Sequence, residues 1–224
     1  MPTYVFVLIG LVVAGLVGWA VASSVRQGRA RKAALDRLGF VACPDRKGWL
    51  EEMVARMEAN PKDRYEVREP RRLPGEPEIY HFIKMRLGGA DEIAVAEEEI
   101  LFPLERRSPA ALQLVVKPSS IPAGLATRMI GAIAAIPGGA RTDGLERLEL
   151  PRDRSDKNLV AALGPRGASL YDLVDGSTLG VLEGLGDAGA IFVHVQDGWC
   201  AVASPTSQIP FRADQIVARI RPLL

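Results

Sequence analysis

The chain has 224 residues, and its first charged side chain is Arg26; the stretch from there to the C-terminus is the size of one ordinary domain, long enough to bury a core. The net charge of +1 hides a split: residues 26–37 hold Arg26, Arg29, Arg31, Lys32 and Arg37 against Asp36 alone, which leaves 23 basic and 26 acidic residues elsewhere. A mildly acidic domain lacks the basic footprint that nucleic-acid phosphates require, so nucleic acid is excluded from the expected partners.

Tyr4–Ala22 reads as 19 uncharged, mostly apolar residues. A helix of about 20 such residues matches a hydrocarbon core of about 30 Å, so the segment predicts a transmembrane anchor within residues 1–25. Tyr4 and Trp19 stand near its two ends, where amphipathic rings settle at headgroup depth. The competing reading is a cleaved signal peptide, with Ala20-Val21-Ala22 as a small-x-small site. Against it, no basic residue precedes the apolar run, and the run is longer than a signal core. Gly10, Ala14, Gly18 and Ala22 recur every fourth residue and predict a face for close helix–helix packing, with another membrane protein or a second copy.

Residues 26–39 read as a basic juxtamembrane helix. Ala30–Leu38 is rich in helix formers, and Gly39 stands where a C-cap glycine belongs. Arg26, Arg29, Arg31, Lys32 and Arg37 all come after the apolar run. The positive-inside rule then predicts an inner-membrane, single-pass topology with the N-terminus outside and residues 40–224 in the cytoplasm. The same five side chains are expected to contact anionic lipid.

The remaining elements alternate in type. Gly48–Glu58 predicts an amphipathic helix with Trp49, Met53 and Met57 on one face. Tyr65 and Val67 predict a strand, and the proline-rich stretch Glu69–Glu78 a loop. Ile79–Leu87, Glu92–Phe102 and Leu112–Val116 predict strands. Ile121–Ile136 predicts a helix whose apolar face is Leu125, Met129, Ile133 and Ile136; it is buried in the domain's own core or docks on a partner. Leu145–Leu150 predicts a strand, Asp156–Leu163 a helix, Ala168–Val174 further helical turns, and Thr178–Glu183 and Ala190–Gln196 strands. Asp197-Gly198 is a two-residue hairpin signal before the strand Trp199–Ser204, and Phe211–Ile220 predicts a closing helix. The fold class expected is α+β: a transmembrane helix, then a largely antiparallel sheet with packed helices.

No catalytic or cofactor motif survives inspection. Gly184-Leu185-Gly186-Asp187-Ala188-Gly189 matches G-x-G-x-x-G, but a strand pattern comes after it where a dinucleotide site needs a helix, so it reads as a turn between two strands. His81 and His194 lack metal-ligand spacing and read as structural or surface histidines. Glu97-Glu98-Glu99 alternates faces along a strand and reads as a solvated charged edge. Cys43 and Cys200, far apart and outside any CxxC, read as free thiols. No cofactor and no metal are expected.

Leu148-Glu149-Leu150-Pro151, the run Asn158–Pro165, the hairpin and the final helix resemble a group of bacterial membrane-anchored proteins without an assigned activity. The resemblance covers residues 110–224 and the anchor. It implies one or two membrane helices joined to a cytoplasmic α+β domain, and lends no activity. The function expected is therefore a membrane-tethered, non-catalytic interaction domain, an accessory or structural subunit of a larger membrane complex. The alternatives are an enzyme acting at the membrane surface and a sensor for lipid or a small ligand.

Overall fold

The structure, a computed structural model, describes residues 22, 25–58, 64–87, 95–104, 110–122, 145–150, 158–206 and 211–224. The chain divides into two units, Met1–Gly39 and Phe40–Leu224. Gly10, Ala14 and Gly18, most of the segment Tyr4–Ala22, and the helix face Leu125, Met129, Ile133 and Ile136 lie outside the described residues. Among the described residues no helix is long and apolar enough to cross a membrane.

In the first unit a helix, α1, runs over residues 25–38 without a break at Gly28. Gly39 ends it with φ 88°, a left-handed conformation open to glycine at no steric cost, and its amide donates to the Asp36 carbonyl. The Arg37 guanidinium donates to the Ala33 carbonyl in the last turn.

The second unit is built on one nine-stranded sheet in the order β1-β2-β3-β4-β9-β8-β5-β7-β6, antiparallel at every pair. The strands are β1 (Val41–Ala42), β2 (Arg64–Leu73), β3 (Ile79–Leu87), β4 (Val95–Pro103), β5 (Leu112–Val116), β6 (Leu145–Arg147), β7 (Leu159–Pro165), β8 (Phe192–Gln196) and β9 (Trp199–Pro205). The helices are α2 (Lys47–Glu58), α3 (Leu170–Leu173), α4 (Gly176–Gly184) and α5 (Ala213–Ile220). An α+β chain with a large antiparallel sheet is what the strand clustering and the hairpin signal predict. Asp197 and Gly198 both take positive φ in the β8–β9 turn, as a two-residue hairpin requires.

Helix α2 covers one face of the sheet. Its Leu50, Met53, Val54 and Met57 pack on Val67, Tyr80, Phe82, Leu101 and Ala201, with Trp49 and Trp199 at the rim. Full burial of a side chain such as Phe82 contributes about 1.5–3 kcal/mol. On the opposite face Ile100, Phe102, Leu112, Leu114, Val193 and Val202 are all buried.

Three predicted elements are corrected. Asn158–Leu163 is not helical: Leu159–Pro165 is the strand β7, paired with β5 on one side and β6 on the other, and this pairing overrides the helix preference of its alanines. Thr178–Glu183 is not a strand: Asp175 caps α4 by accepting from the amides of Ser177 and Thr178, and Leu179, Leu182 and Glu183 then fall on one buried helical face. The segment Glu69–Glu78 is a loop only after Leu73. Strand β2 carries Pro70 through a bulge between Arg68 and Arg71, where Glu69 has φ 51°.

The glycine-rich hexapeptide comes after α4 rather than after a strand. Gly186 packs against the Lys117 backbone so closely that a Cβ there would lie 2.2 Å from the Lys117 carbonyl oxygen. Asp187 accepts from the Ser119 amide at 2.7 Å, and the Arg212 guanidinium donates to the Asp187 carbonyl at 2.6 Å. The match to a dinucleotide fingerprint is thus a packing junction between β5, α4 and the segment leading into α5.

Candidate functional site

Alternation along β3 puts Tyr80, Phe82 and Lys84 on the face that α2 covers. Register sets Lys84 opposite Glu97 and Phe82 opposite Glu99, so both glutamates share that face. Glu58, the last residue of α2, reaches the same point from above the sheet. The Lys84 ammonium is held by three carboxylates: 2.5 Å to Glu58, 2.7 Å to Glu97 and 3.1 Å to Glu99. The Lys84 side chain is 7% exposed and that of Glu99 4%.

The electrostatics of the group arise from crowding in a low dielectric. Burial acts to discharge Lys84, but the three carboxylates outweigh it and hold the ammonium charged well above the usual lysine range. Burial likewise opposes ionisation of Glu58. The ammonium of Lys84, with Arg86 acting in the same sense, overcomes it and brings the carboxyl down to about 2. Glu99 goes the other way. Burial and the charges of Glu58 and Glu97 push it up to about 7 against the pull of Lys84. One ammonium cannot neutralise three buried carboxylates, so one of them keeps its proton near neutrality.

His194 of β8 lies beside this group. Gln113 Nε2, which can only donate, is 3.2 Å from His194 Nε2, so that nitrogen accepts. Burial keeps the imidazole neutral by lowering its pKa, with the field of Glu58 acting in the opposite sense. On the opposite sheet face Glu98 accepts from His81 Nε2 at 2.8 Å, and the fully buried His81 ring meets Phe40 edge-on at 6.1 Å between centroids.

The expectation of a solvated edge at Glu97-Glu98-Glu99 is therefore corrected. Alternation does split the three between two faces, but β4 lies between β3 and β9 in the interior of the sheet, and each glutamate has a buried basic partner. The sequence pattern did not single out Lys84 and Glu58. The available signal was a lysine in the middle of the apolar run Ile79–Leu87, a position that needs a counter-charge once the strand is central. The arrangement can hold and release one proton near neutrality. Among the described residues no group of His, Cys, Asp and Glu could hold a metal ion, and the ammonium of Lys84 fills the place a cation would take among these carboxylates. Cys43 and Cys200 are free and buried, and burial pushes the Cys200 thiol far up, away from reactive thiolate.

Of the basic residues expected to meet lipid, Arg26, Arg29, Arg31, Lys32 and Arg37 all lie on α1. At 100° per residue, Arg26, Arg29, Lys32 and Arg37 fall within an arc of about 140°, and Arg31 lies outside it. These four are exposed. The stripe is about 16 Å long at 1.5 Å per residue.

No protein-family model matches the sequence, and no curated protein matches it. The chain is similar to the mycobacterial trehalose monomycolate transport factor A, TtfA, known from a crystal structure. The two are 11% identical over 87% of this chain and 90% of that chain, with a TM-score of 0.47. At that score the likeness carries no argument about what this chain does.

Proposed function

We propose that the chain is a membrane-tethered, non-catalytic interaction domain, an accessory or structural subunit of a larger membrane complex. One observation carries this reading: the uncharged run Tyr4–Ala22 leads directly into α1, whose exposed face is a stripe of Arg26, Arg29, Lys32 and Arg37. An apolar segment of that length is stable across lipid, and basic residues on one flank only set its orientation, with the α+β unit in the cytoplasm. Each basic side chain near an anionic leaflet adds about 1 kcal/mol. Because the stripe spans about 16 Å, a helix standing upright brings only Arg26 and Arg29 within a Debye length of about 8–10 Å, whereas a helix lying in the interface brings in all four. The Gly10, Ala14, Gly18 and Ala22 face supplies the contact within the membrane. The Leu125, Met129, Ile133 and Ile136 face is the first candidate for a contact outside it.

Purification of the intact protein from its own membranes in mild detergent tests the proposal. A stoichiometric partner or a defined oligomer is expected, and a strictly monomeric, partner-free protein sinks it. Topology is tested separately: protease added outside intact cells should leave residues 40–224 whole.

One observation favours a second reading, an enzyme at the membrane surface: Glu99 is poised near neutrality beside Lys84, in a group whose Glu58 and Glu97 also act on the neutral imidazole of His194. Against it, Lys84 and its carboxylates satisfy one another under α2 and are held away from solvent. Turnover abolished by Glu99→Gln in a correctly folded protein would reverse the preference.

A further inference from the structure

Three of the four groups at the Lys84 centre belong to the β3–β4 ladder, and one belongs to a separable helix. Lys84, Glu97 and Glu99 are fixed by paired backbone. Glu58 is the final residue of α2 and reaches the group only through its side chain. A helix C-terminus carries partial negative charge, so an ionised carboxylate there is unfavourable unless a cation compensates it. Lys84 is that cation, and Glu58 shares it with two other carboxylates.

The two ends of α2 are held by different means. Near its start, Trp49 meets Tyr80 at 5.1 Å and Trp199 at 5.4 Å between ring centroids, contacts that are independent of charge. At its end, Met57 is buried, and the polar attachment is the Glu58 carboxylate on Lys84.

We propose that the Lys84 centre is a proton-operated clamp on the C-terminal end of α2, closed when Glu99 carries a proton and loosened when that proton leaves. The charged and titratable groups that act on Glu99 are Lys84 from β3, Glu97 from β4, Glu58 from α2 and the Cys200 thiol from β9, while Arg86 of β3 and His194 of β8 act on Glu58. With Glu99 neutral, the ammonium is shared by two carboxylates, and Glu58 keeps a strong contact. With Glu99 ionised, a third anion competes for the same ammonium and repels Glu58. The strand residues cannot move apart without breaking the ladder, so the strain falls on the helix end. The direction in which burial and the neighbouring carboxylates shift Glu99 places the change near neutral pH. The native, clamped state binds the proton more tightly than the loosened one, so the clamp is closed on the acid side and weakens as pH rises. The clamp is independent of the membrane anchor.

Hydrogen exchange measured on the full-length protein in detergent micelles tests the clamp. After correction for intrinsic rates, exchange of the amides from Val54 to Glu58 should accelerate with pH across the neutral range, by at most about tenfold per pH unit for one proton. Amides near Trp49 should not respond. Glu99→Gln should keep the helix end protected at every pH. Protection that is flat with pH in the wild-type chain, or a slope that persists in Glu99→Gln, overturns the proposal. A second measurement covers the case in which that variant does not fold. Infrared difference spectra of wild-type protein with isotope-labelled glutamate should show a protonated carboxyl band at about pH 6 that is lost by about pH 8, and its absence at the lower pH overturns the proposal equally.

Discussion

Strand β2 carries Arg64, Glu66 and Arg68 at alternate positions, while strand β4, two places across the sheet, carries Glu97, Glu98 and Glu99 in succession. Among the described residues only Arg71 and Arg72 of β2 pair with the short β1, and Arg64–Arg68 pairs with β3 alone and forms an edge. There the ion pairing is local and wet: Arg68 donates to Glu66 at 3.1 and 2.9 Å with about half of its side chain in solvent. On β4 the glutamates reach partners on other elements and are largely closed off from water. The residue types are similar, and what differs is place in the strand order. An edge strand solvates whatever it carries. An interior strand must find each charge a partner of opposite sign, because leaving it unpaired costs several kcal/mol. The contrast explains why two ion-pair systems of similar geometry should respond to substitution in very different ways.

The largest expected effect comes from Lys84→Met, which matches the lysine in size and removes the charge. It leaves Glu58, Glu97 and Glu99 buried around an empty centre. A loss of about 3–5 kcal/mol is expected, read as a lower urea midpoint at unchanged slope. A loss under about 1 kcal/mol would mean that the centre is as well solvated as the β2 edge, and the contrast would fail.

Next in size is the pH profile of stability, in which two glutamates act with opposite signs. Glu58 has a native pKa of about 2 against an ordinary 4.5, so the unfolded state binds more protons in that window and stability rises between them as pH rises. Glu99 has a native value of about 7, so the native state holds the extra proton between 4.5 and 7, and stability falls there as pH rises. Their joint contribution is greatest near pH 4.5. Urea midpoints measured against pH should therefore lose the acid limb in Glu58→Gln and the neutral limb in Glu99→Gln. A profile that keeps both limbs in both variants would assign the titrations to other groups.

Much of the fold was legible because it rests on local chemistry. Ile79–Leu87 and Leu112–Val116 match their strands from end to end, and Asp197-Gly198 forms the predicted turn. The errors at β7 and α4 arise where a local preference competes with something farther off. Alanines in Leu159–Pro165 favour a helix until β5 and β6 flank them, and the apolar pattern of Thr178–Glu183 suits a strand until Asp175 caps it. The Lys84 centre was illegible for the same reason. Glu58, Lys84 and Glu97 are spread along the chain, and no spacing within one element announces that register and a helix end will bring them together. Gly186 was visible as part of a motif, but its reason is contact with Lys117, 69 positions earlier. Gly186→Ala should cost about 3 kcal/mol, because the Lys117 backbone it would strike cannot swing aside as a side chain can.

Glu51 separates the two regimes from within, since it belongs to α2 and acts on the β2 edge. Its carboxylate accepts from the Val67 amide at 3.1 Å, occupying a backbone donor on the edge strand, and Val67 itself is fully buried. Glu51→Ala leaves that donor without its acceptor, and a loss of about 1–2 kcal/mol is expected. The value should fall between the effect at the centre and the effect at the β2 edge.

The smallest effect is expected at Arg68, and it tests the contrast most sharply because its geometry is so good. The guanidinium meets Glu66 through two hydrogen bonds, and this contact lowers the Glu66 carboxyl pKa and raises that of the guanidinium. If geometry alone set the value of an ion pair, Arg68→Ala should rival a disruption at Lys84. Both partners are hydrated when apart, however, so forming the pair exchanges one well-solvated arrangement for another and restricts two long side chains. The urea midpoint of Arg68→Ala should match that of the wild-type protein, in low salt as in high. A clear shift that vanishes in high salt would show that the field at the β2 edge is far less screened than its exposure implies, and place in the strand order would no longer be the deciding variable.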